Sequence, residues 1–307
     1  MKRIILTVLS ICLMLSLCAC GAAPEATEPP AAPTAAPTAP RETATPTAAP
    51  TEAPSLSELT LVDNDHCRFT VTGTEYNDHL GLQIQVLCEN ESDRPLMFTW
   101  NDTSVCGFMY DPMWAEEVAA GKQVRSTVGI DTYALERIGV DSVEEITFTL
   151  YVQDSEEFMN EPVVNEGFSI YPTGKMPDQV VYPEYQHTEG ESVIVDNDTL
   201  TFIIENVDDE LADYYTLNCY IANKTGKNML ISWDNVSVNG FMVNPFWAIS
   251  VAAGKQAYAE IIFYRSELEA QDIEVVQDIE FNLLVSDNDD WMADYLLDEI
   301  YTFKPKQ

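Results

Sequence analysis

The sequence predicts an all-β protein made of two tandem sandwich domains, each with one short helix. Three observations lead there. The stretch "GFMYDPMWAEEVAAGKQ", Gly107 to Gln123, returns 133 residues later as "GFMVNPFWAISVAAGKQ", Gly240 to Gln256. Apolar and polar residues alternate with period two over several long segments. Turn residues, among them Asn-Gly and Ala-Ala-Gly-Lys, punctuate those segments at short intervals.

The duplication holds its register without a gap. Val62-Asp-Asn-Asp65 matches Val195-Asp-Asn-Asp198, Asn90 matches Asn223, Trp100 matches Trp233 and Trp114 matches Trp247. Ile146, Phe148, Leu150 and Val152 return as Ile279, Phe281, Leu283 and Val285. Solenoid repeats have periods of about 20 to 50 residues. A period of 133 therefore marks a whole domain, large enough to enclose its own core. The repeats span 56–174 and 191–307. The join between them, 175–190, lies in a segment with three prolines, Tyr171 to Glu191, and reads as a short stiff linker.

Each repeat reads as mostly strand. Leu82, Ile84, Val86 and Cys88 alternate with Gln83, Gln85 and Leu87, and Tyr215, Leu217, Cys219 and Ile221 take the same places in the second copy. Period two over such lengths means strands with one buried face. Asn239-Gly240 signals a two-residue hairpin, because both residues accept the positive φ of a type I′ turn. Ser266 and Glu269 have capping-box spacing around a short helix. Some seven strands per repeat suggest a sandwich.

The pattern N-x-[ST]…NG…P…AGK…LE…I-x-F resembles the immunoglobulin-like domains of unknown function in lipoproteins of Gram-positive gut bacteria. The resemblance covers both repeats, implies an immunoglobulin-like topology and brings no known chemistry. Repeat 1 departs from it with Cys106 where repeat 2 has Asn239, so its turn is expected to be less well specified.

The N-terminus, "MKRIILTVLSICLMLSLCAC", has a charged start at Lys2 and Arg3 and an apolar run too short for a comfortable membrane span. Leu17, Ala19, Cys20 and Gly21 resemble the lipobox of bacterial lipoproteins, with Cys18 a mild departure. That resemblance implies a signal peptide over 1–19, cleavage before Cys20 and a diacylglyceryl thioether on Cys20. Two acyl chains anchor a protein stably where one does not. Residues 20–55 form a stalk of Pro, Ala and Thr with almost nothing to bury. At about 3.1 Å per residue its proline-rich part would reach roughly 100 Å.

The chain has 15 basic and 51 acidic residues and a formal net charge of −36 at pH 7. Loss of residues 1–19 removes Lys2 and Arg3 and no acid, which takes the charge to −38. Nucleic acid is excluded as a partner, since binding it needs the opposite sign. High solubility follows from the same charge.

Candidate chemistry is sparse. Cys67, Cys88 and Cys219 align with aliphatic residues of the other copy, so they read as small core hydrophobes. A hairpin centred near Asn77 and Asp78 would instead set Cys67 opposite Cys88, a candidate disulfide that export would permit. His66, His79 and His187 do not recur between copies, and no nucleophile, zinc or phosphate-loop motif is present. Asp287, Asp289 and Asp290 follow a strand and are candidates for calcium, or else a solvated turn that discourages edge pairing. No other cofactor is expected, and no enzyme. Trp114 and Trp247 would serve as platforms for a glycan or a protein, or would plug the end of each sandwich.

The sequence thus points to an extracytoplasmic protein, held to the membrane by a lipid anchor and exposed at the cell surface. It would bind an unknown protein or glycan without catalysis. The alternatives are a structural spacer or accessory subunit of an envelope complex, and a carbohydrate-binding module.

Overall fold

A computed structural model describes residues 58–290 and 292–306. The expected signal peptide over 1–19, the expected lipidation at Cys20 and the expected stalk over 20–55 lie outside the described residues. Repeat 1 contains β1 (Leu59–Asp63), β2 (Cys67–Asn77), β3 (Gly81–Asn90), β4 (Leu96–Val105), β5 (Phe108–Met109), β6 (Ala115–Val118) and β7 (Gln123–Ile130). Helix α1 (Thr132–Ile138) follows, then β8 (Ile146–Asp154) and β9 (Val164–Ile170). Repeat 2 contains β10 (Ser192–Asp196), β11 (Leu200–Asp208), β12 (Tyr214–Asn223), β13 (Met229–Val238), β14 (Phe241–Met242), β15 (Ala248–Val251) and β16 (Gln256–Tyr264). It ends with α2 (Arg265–Glu269), β17 (Ile279–Asp287) and β18 (Leu297–Phe303). Every element of repeat 2 starts 133 residues after its counterpart.

Each repeat is an immunoglobulin-like sandwich. One sheet of repeat 1 has the order β1-β2-β3-β7; in the other, β4 pairs with β5, β6 and β8, and β8 pairs with β9. The chain crosses between sheets so that β3 meets β7 and β4 meets β8, the Greek-key connection of this architecture. Repeat 2 repeats the order as β10-β11-β12-β16 facing a sheet built around β13, β17 and β18. Bulges recur in place too, between Asn101 and Ser104 and between Asp234 and Ser237.

The alternating positions face inward. β8 buries Ile146, Phe148, Leu150 and Val152, and β17 buries Ile279, Phe281, Leu283 and Val285. Two buried asparagines tie the sandwich ends. Asn90 Nδ2 donates to the Arg94 and Val118 carbonyls at 2.7 and 2.8 Å, while its Oδ1 accepts from Ser92. Asn223 makes the same bonds to Lys227 and Val251 and accepts from Thr225. The N-x-[ST] element is therefore a buried polar staple, satisfied on both sides.

Helix starts differ from the expected capping box. Asp131 caps α1 by accepting from Ala134 N at 2.8 Å. In repeat 2 the equivalent residue is Tyr264, which gives no side-chain cap, and Ser266 lies inside α2 rather than before it.

The proposed Cys67–Cys88 pairing is not formed, and register is the reason. The β2–β3 turn occupies residues 78–80, and a bulge between Val71 and Gly73 shifts the ladder again. Cys67 consequently faces Asn90, and Phe69 faces Cys88. The two cysteines are diagonal neighbours, a relation that places Cα atoms about 7–8 Å apart, beyond the usual disulfide span of about 4.4–6.8 Å. Cys67, Cys88, Cys106 and Cys219 are all buried free thiols.

Candidate functional site

The duplicated phrase builds one face of each repeat, and the two faces have different fates. It begins with a tight turn. Cys106 and Gly107 have φ of 48° and 87°, and Asn239 and Gly240 have φ of 52° and 82°. Asn239 locks its turn by accepting from Gln277 N and Asp278 N and donating to the Val275 carbonyl. In repeat 1 the Cys106 sulfur accepts from Glu144 N at 3.4 Å, the position equivalent to Gln277. The cysteine thus specifies the same turn that asparagine does, contrary to the expectation of a looser one.

In repeat 1 that turn aims β5 at repeat 2. Gln256 N donates to the Gly107 carbonyl at 2.9 Å, and Phe108 bridges Gln256 in parallel pairing. The sheets of the two repeats become one, in the order β10-β11-β12-β16-β5-β4-β8-β9. Phe108 stacks on Tyr258 with centroids 5.1 Å apart, and Tyr220 flanks it. Arg137 lies 3.7 Å over the Tyr258 ring and pairs with the buried Glu205. Lys255 lies 3.5 Å from Glu145.

The linker is part of this junction. Tyr182 covers Gly107 so closely that a Cβ there would meet its ring at 2.8 Å. Its hydroxyl donates to Glu145 and accepts from Lys255. Burial, and then the Glu145 carboxylate, hold the Tyr182 phenol well above its ordinary pKa. Tyr185 stacks on Tyr220 at 3.9 Å. Between the repeats lies a cavity of about 420 Å³ lined by residues such as Trp100, Thr103, Tyr110 and Ile249. The Trp100 indole N–H is buried there without a partner, but so is that of Trp233 in repeat 2. The orphan donor therefore belongs to the repeat's core and not to the cavity.

In repeat 2 the same face is open. Phe108 is 1% exposed, whereas its counterpart Phe241 is 49% exposed and Met242 66%. Phe246, farther along the phrase, is 94% exposed at φ 49°, held by an Asx turn in which its N–H donates to Asn244 Oδ1 at 2.8 Å. Sequence reasoning missed this edge. The available signal was a Phe-Met pair kept identical directly after a tight turn, where a two-residue strand contributes little to either core.

Trp114 and Trp247 occupy equivalent, half-buried positions against the cores. Trp114 meets Phe69 and Trp100 edge-on at 6.2 Å, and Trp247 meets Phe202 and Trp233 at 6.1 and 5.9 Å. Trp114 also donates to Ser126 Oγ at 3.1 Å. Both plug their sandwiches. Asp287, Asp289 and Asp290 do not converge. Asp287 accepts from Lys227 at 2.7 Å and from Asp289 N, Asp289 accepts from Asn228, and Asp290 accepts from Met292 N. Among the described residues no group of three His, Cys, Asp or Glu is placed to hold a metal ion.

A cleft of about 650 Å³ lies beside α2, with the Tyr215 hydroxyl buried and unpartnered on its wall. Its guanidinium, Arg265, is occupied by the Leu211 and Asp209 carbonyls.

No family model and no curated protein matches the chain. The solved structures similar over much of it include two. One is red sea bream transglutaminase, at 8% identity and a TM-score of 0.24, covering 80% of this chain and 32% of that one. The chain thus spans about a third of the transglutaminase. The other is the Salmonella enterica SafA pilin in complex with the SafB chaperone, at 11% identity and a TM-score of 0.19, covering 72% and 88%. At such scores neither likeness carries an argument.

Proposed function

We propose that the chain is a membrane-anchored surface protein that binds a protein partner, without catalysis, through the open β14 edge of its second sandwich. The observation that carries this reading is the contrast between Phe241 and Met242, about half or more exposed, and their duplicates in repeat 1, of which Phe108 is buried and Met109 half-buried. An apolar pair on a sheet edge, next to unpaired backbone, is a docking surface for another chain. The lipobox-like Cys20 and the proline-rich stalk suit a domain held clear of a membrane. The packing of Trp114 and Trp247 argues against the glycan-platform alternative, while a pure spacer would leave the β14 edge without a role.

The test is site-specific photo-crosslinking of the full-length chain in its parent cell. A photoreactive residue at Met242 should yield a discrete protein adduct, and one at the exposed Glu299 should not. Absence of any adduct at position 242 would favour the spacer. Mass spectrometry of the mature N-terminus should show a diacylated Cys20.

A further inference from the structure

The retained phrase holds both halves of the junction between the repeats. Its beginning, Gly-Phe-Met, supplies the strand that docks. Its end, Lys-Gln, opens the strand that receives. Within one chain only the first repeat's donor and the second repeat's acceptor are used. The second repeat's donor, β14, stands at the end of its sheet. The first repeat's acceptor, β7, is likewise the last strand of the order β1-β2-β3-β7. Both unused halves are therefore open edges among the described residues.

We propose that these two edges meet between copies: β14 of one chain docks on β7 of another and repeats the internal junction head to tail. The proposal rests on the functional reading above and names the partner as a second copy. Identity at the contact supports it. Gly240, Phe241 and Met242 repeat Gly107, Phe108 and Met109, and Lys122-Gln123 repeats Lys255-Gln256. The register places Gln123 N of one copy against the Gly240 carbonyl of the next.

The two ion pairs of the junction change together. Lys255 faces Glu145 within the chain; the equivalent pair between copies is Lys122 and Asp278, still opposite in sign. Arg137 pairs with Glu205 within the chain; the equivalents are Ala270 and Thr72, both neutral. Neither substitution strands an unpaired charge in the contact, which is the arrangement a maintained interface requires. Tyr258, on which Phe108 stacks, is replaced by Arg125. A guanidinium on the Phe241 face is a cation–π contact in its place.

Two consequences follow. The linker tyrosines Tyr182 and Tyr185, which seal the internal junction, correspond to Ala49 and Glu52 ahead of the other receiving strand, so the contact between copies is weaker and concentration-dependent. Each docking event leaves one donor and one acceptor free, so assembly is an open chain unless its rotation closes a ring. The large negative charge opposes it, and salt should relieve that repulsion.

The experiment is sedimentation velocity of the full-length chain in detergent across a hundredfold range of concentration. Wild type should shift from monomer to dimer and longer species. Phe241→Asp should stay monomeric with an unchanged thermal melt. Lys122→Asp and Asp278→Lys should each raise the dissociation constant roughly tenfold or more. Mixing those two variants restores opposite charges at every contact and should restore assembly. A wild type that is monomeric throughout, single reversals that assemble like wild type, or a mixture that fails to assemble would each overturn the proposal. If Met242 still crosslinks to a different protein in those cases, self-docking falls and the binding function stands. If position 242 crosslinks to nothing, both fall.

Discussion

The indole of Trp233 lies flat on the ring of Phe281, with centroids 3.6 Å apart and planes 12° apart. Trp100 and Phe148 repeat the relation at 3.7 Å and 10°. In each repeat this stack joins β13 to β17, or β4 to β8, and the tryptophan of the duplicated phrase, Trp247 or Trp114, closes over it edge-on. Such pairs add about 0.5–1.5 kcal/mol to the burial of their area.

Trp247→Ala should therefore destabilise the protein by about 2–3 kcal/mol, less than the 3–5 typical of a fully enclosed aromatic because Trp247 is half-buried. Trp233→Ala, which removes a buried partner of three rings, should reach the upper figure. Urea titration of both variants measures it. A Trp247→Ala midpoint equal to wild type would return this residue to the role of an exposed platform.

How much of this was legible beforehand divides by physical cause. The strands, the Asn-Gly turn and the paired tryptophans follow from local period and turn chemistry, and the repeat confirms each against its copy. The Cys67–Cys88 register was not legible, because a bulge near Thr72 and a three-residue turn leave no mark on alternation. The junction was hidden for a different reason. Glu145 and Glu205 are two acids among 51 in the chain, and only their burial against Lys255 and Arg137 distinguishes them. Tyr182 and Tyr185 lie in a linker whose prolines read simply as stiffness.

Asn223→Ala should cost about 2–3 kcal/mol. It leaves the Lys227 and Val251 carbonyls without their donor inside the sandwich, and an unsatisfied buried group loses about 1–3 kcal/mol. Asn90→Ala should behave alike, since its bonds are the same. Thermal or urea unfolding checks both. A neutral result would mean that water replaces the amide, and would place these sites nearer the surface than their burial indicates.

Acid should unfasten the Asp287–Lys227 pair. The Lys227 ammonium, aided by the Asp289 N–H, holds the Asp287 carboxyl below its ordinary value, and the carboxylate raises Lys227 in turn. For the depressed carboxyl, the stabilisation is complete above its unfolded pKa of about 3.9 and is lost as pH falls through the lower folded value. For the raised ammonium, it is complete below about 10.4 and lost only as pH rises through the higher folded value. The pair is thus intact across the neutral range. Asp287→Asn should unfold more easily than wild type at pH 7, and the gap between their urea midpoints should narrow as pH falls below about 4. A constant gap would show that the lost contribution is the turn's hydrogen bonding and not the charge.

The four described cysteines should be inert until the protein unfolds. Burial pushes the Cys67 thiol up to about 11 and raises Cys88, Cys106 and Cys219 as well. The thiolate is the reactive form, so at pH 8 both its small fraction and its enclosure block modification. A chain beginning after Cys20 should titrate no thiols with a soluble aromatic disulfide reagent in buffer, and four in urea, with no reductant at any stage. Recovery of only two in urea would mean that Cys67 and Cys88 had joined. That outcome requires Cys67 to lie opposite Cys88, and the β2–β3 register, with its bulge between Val71 and Gly73, would then be wrong. Because Phe69 faces Cys88 in that register and anchors both Phe98 and Trp100, the first sandwich's aromatic packing would have to move with it.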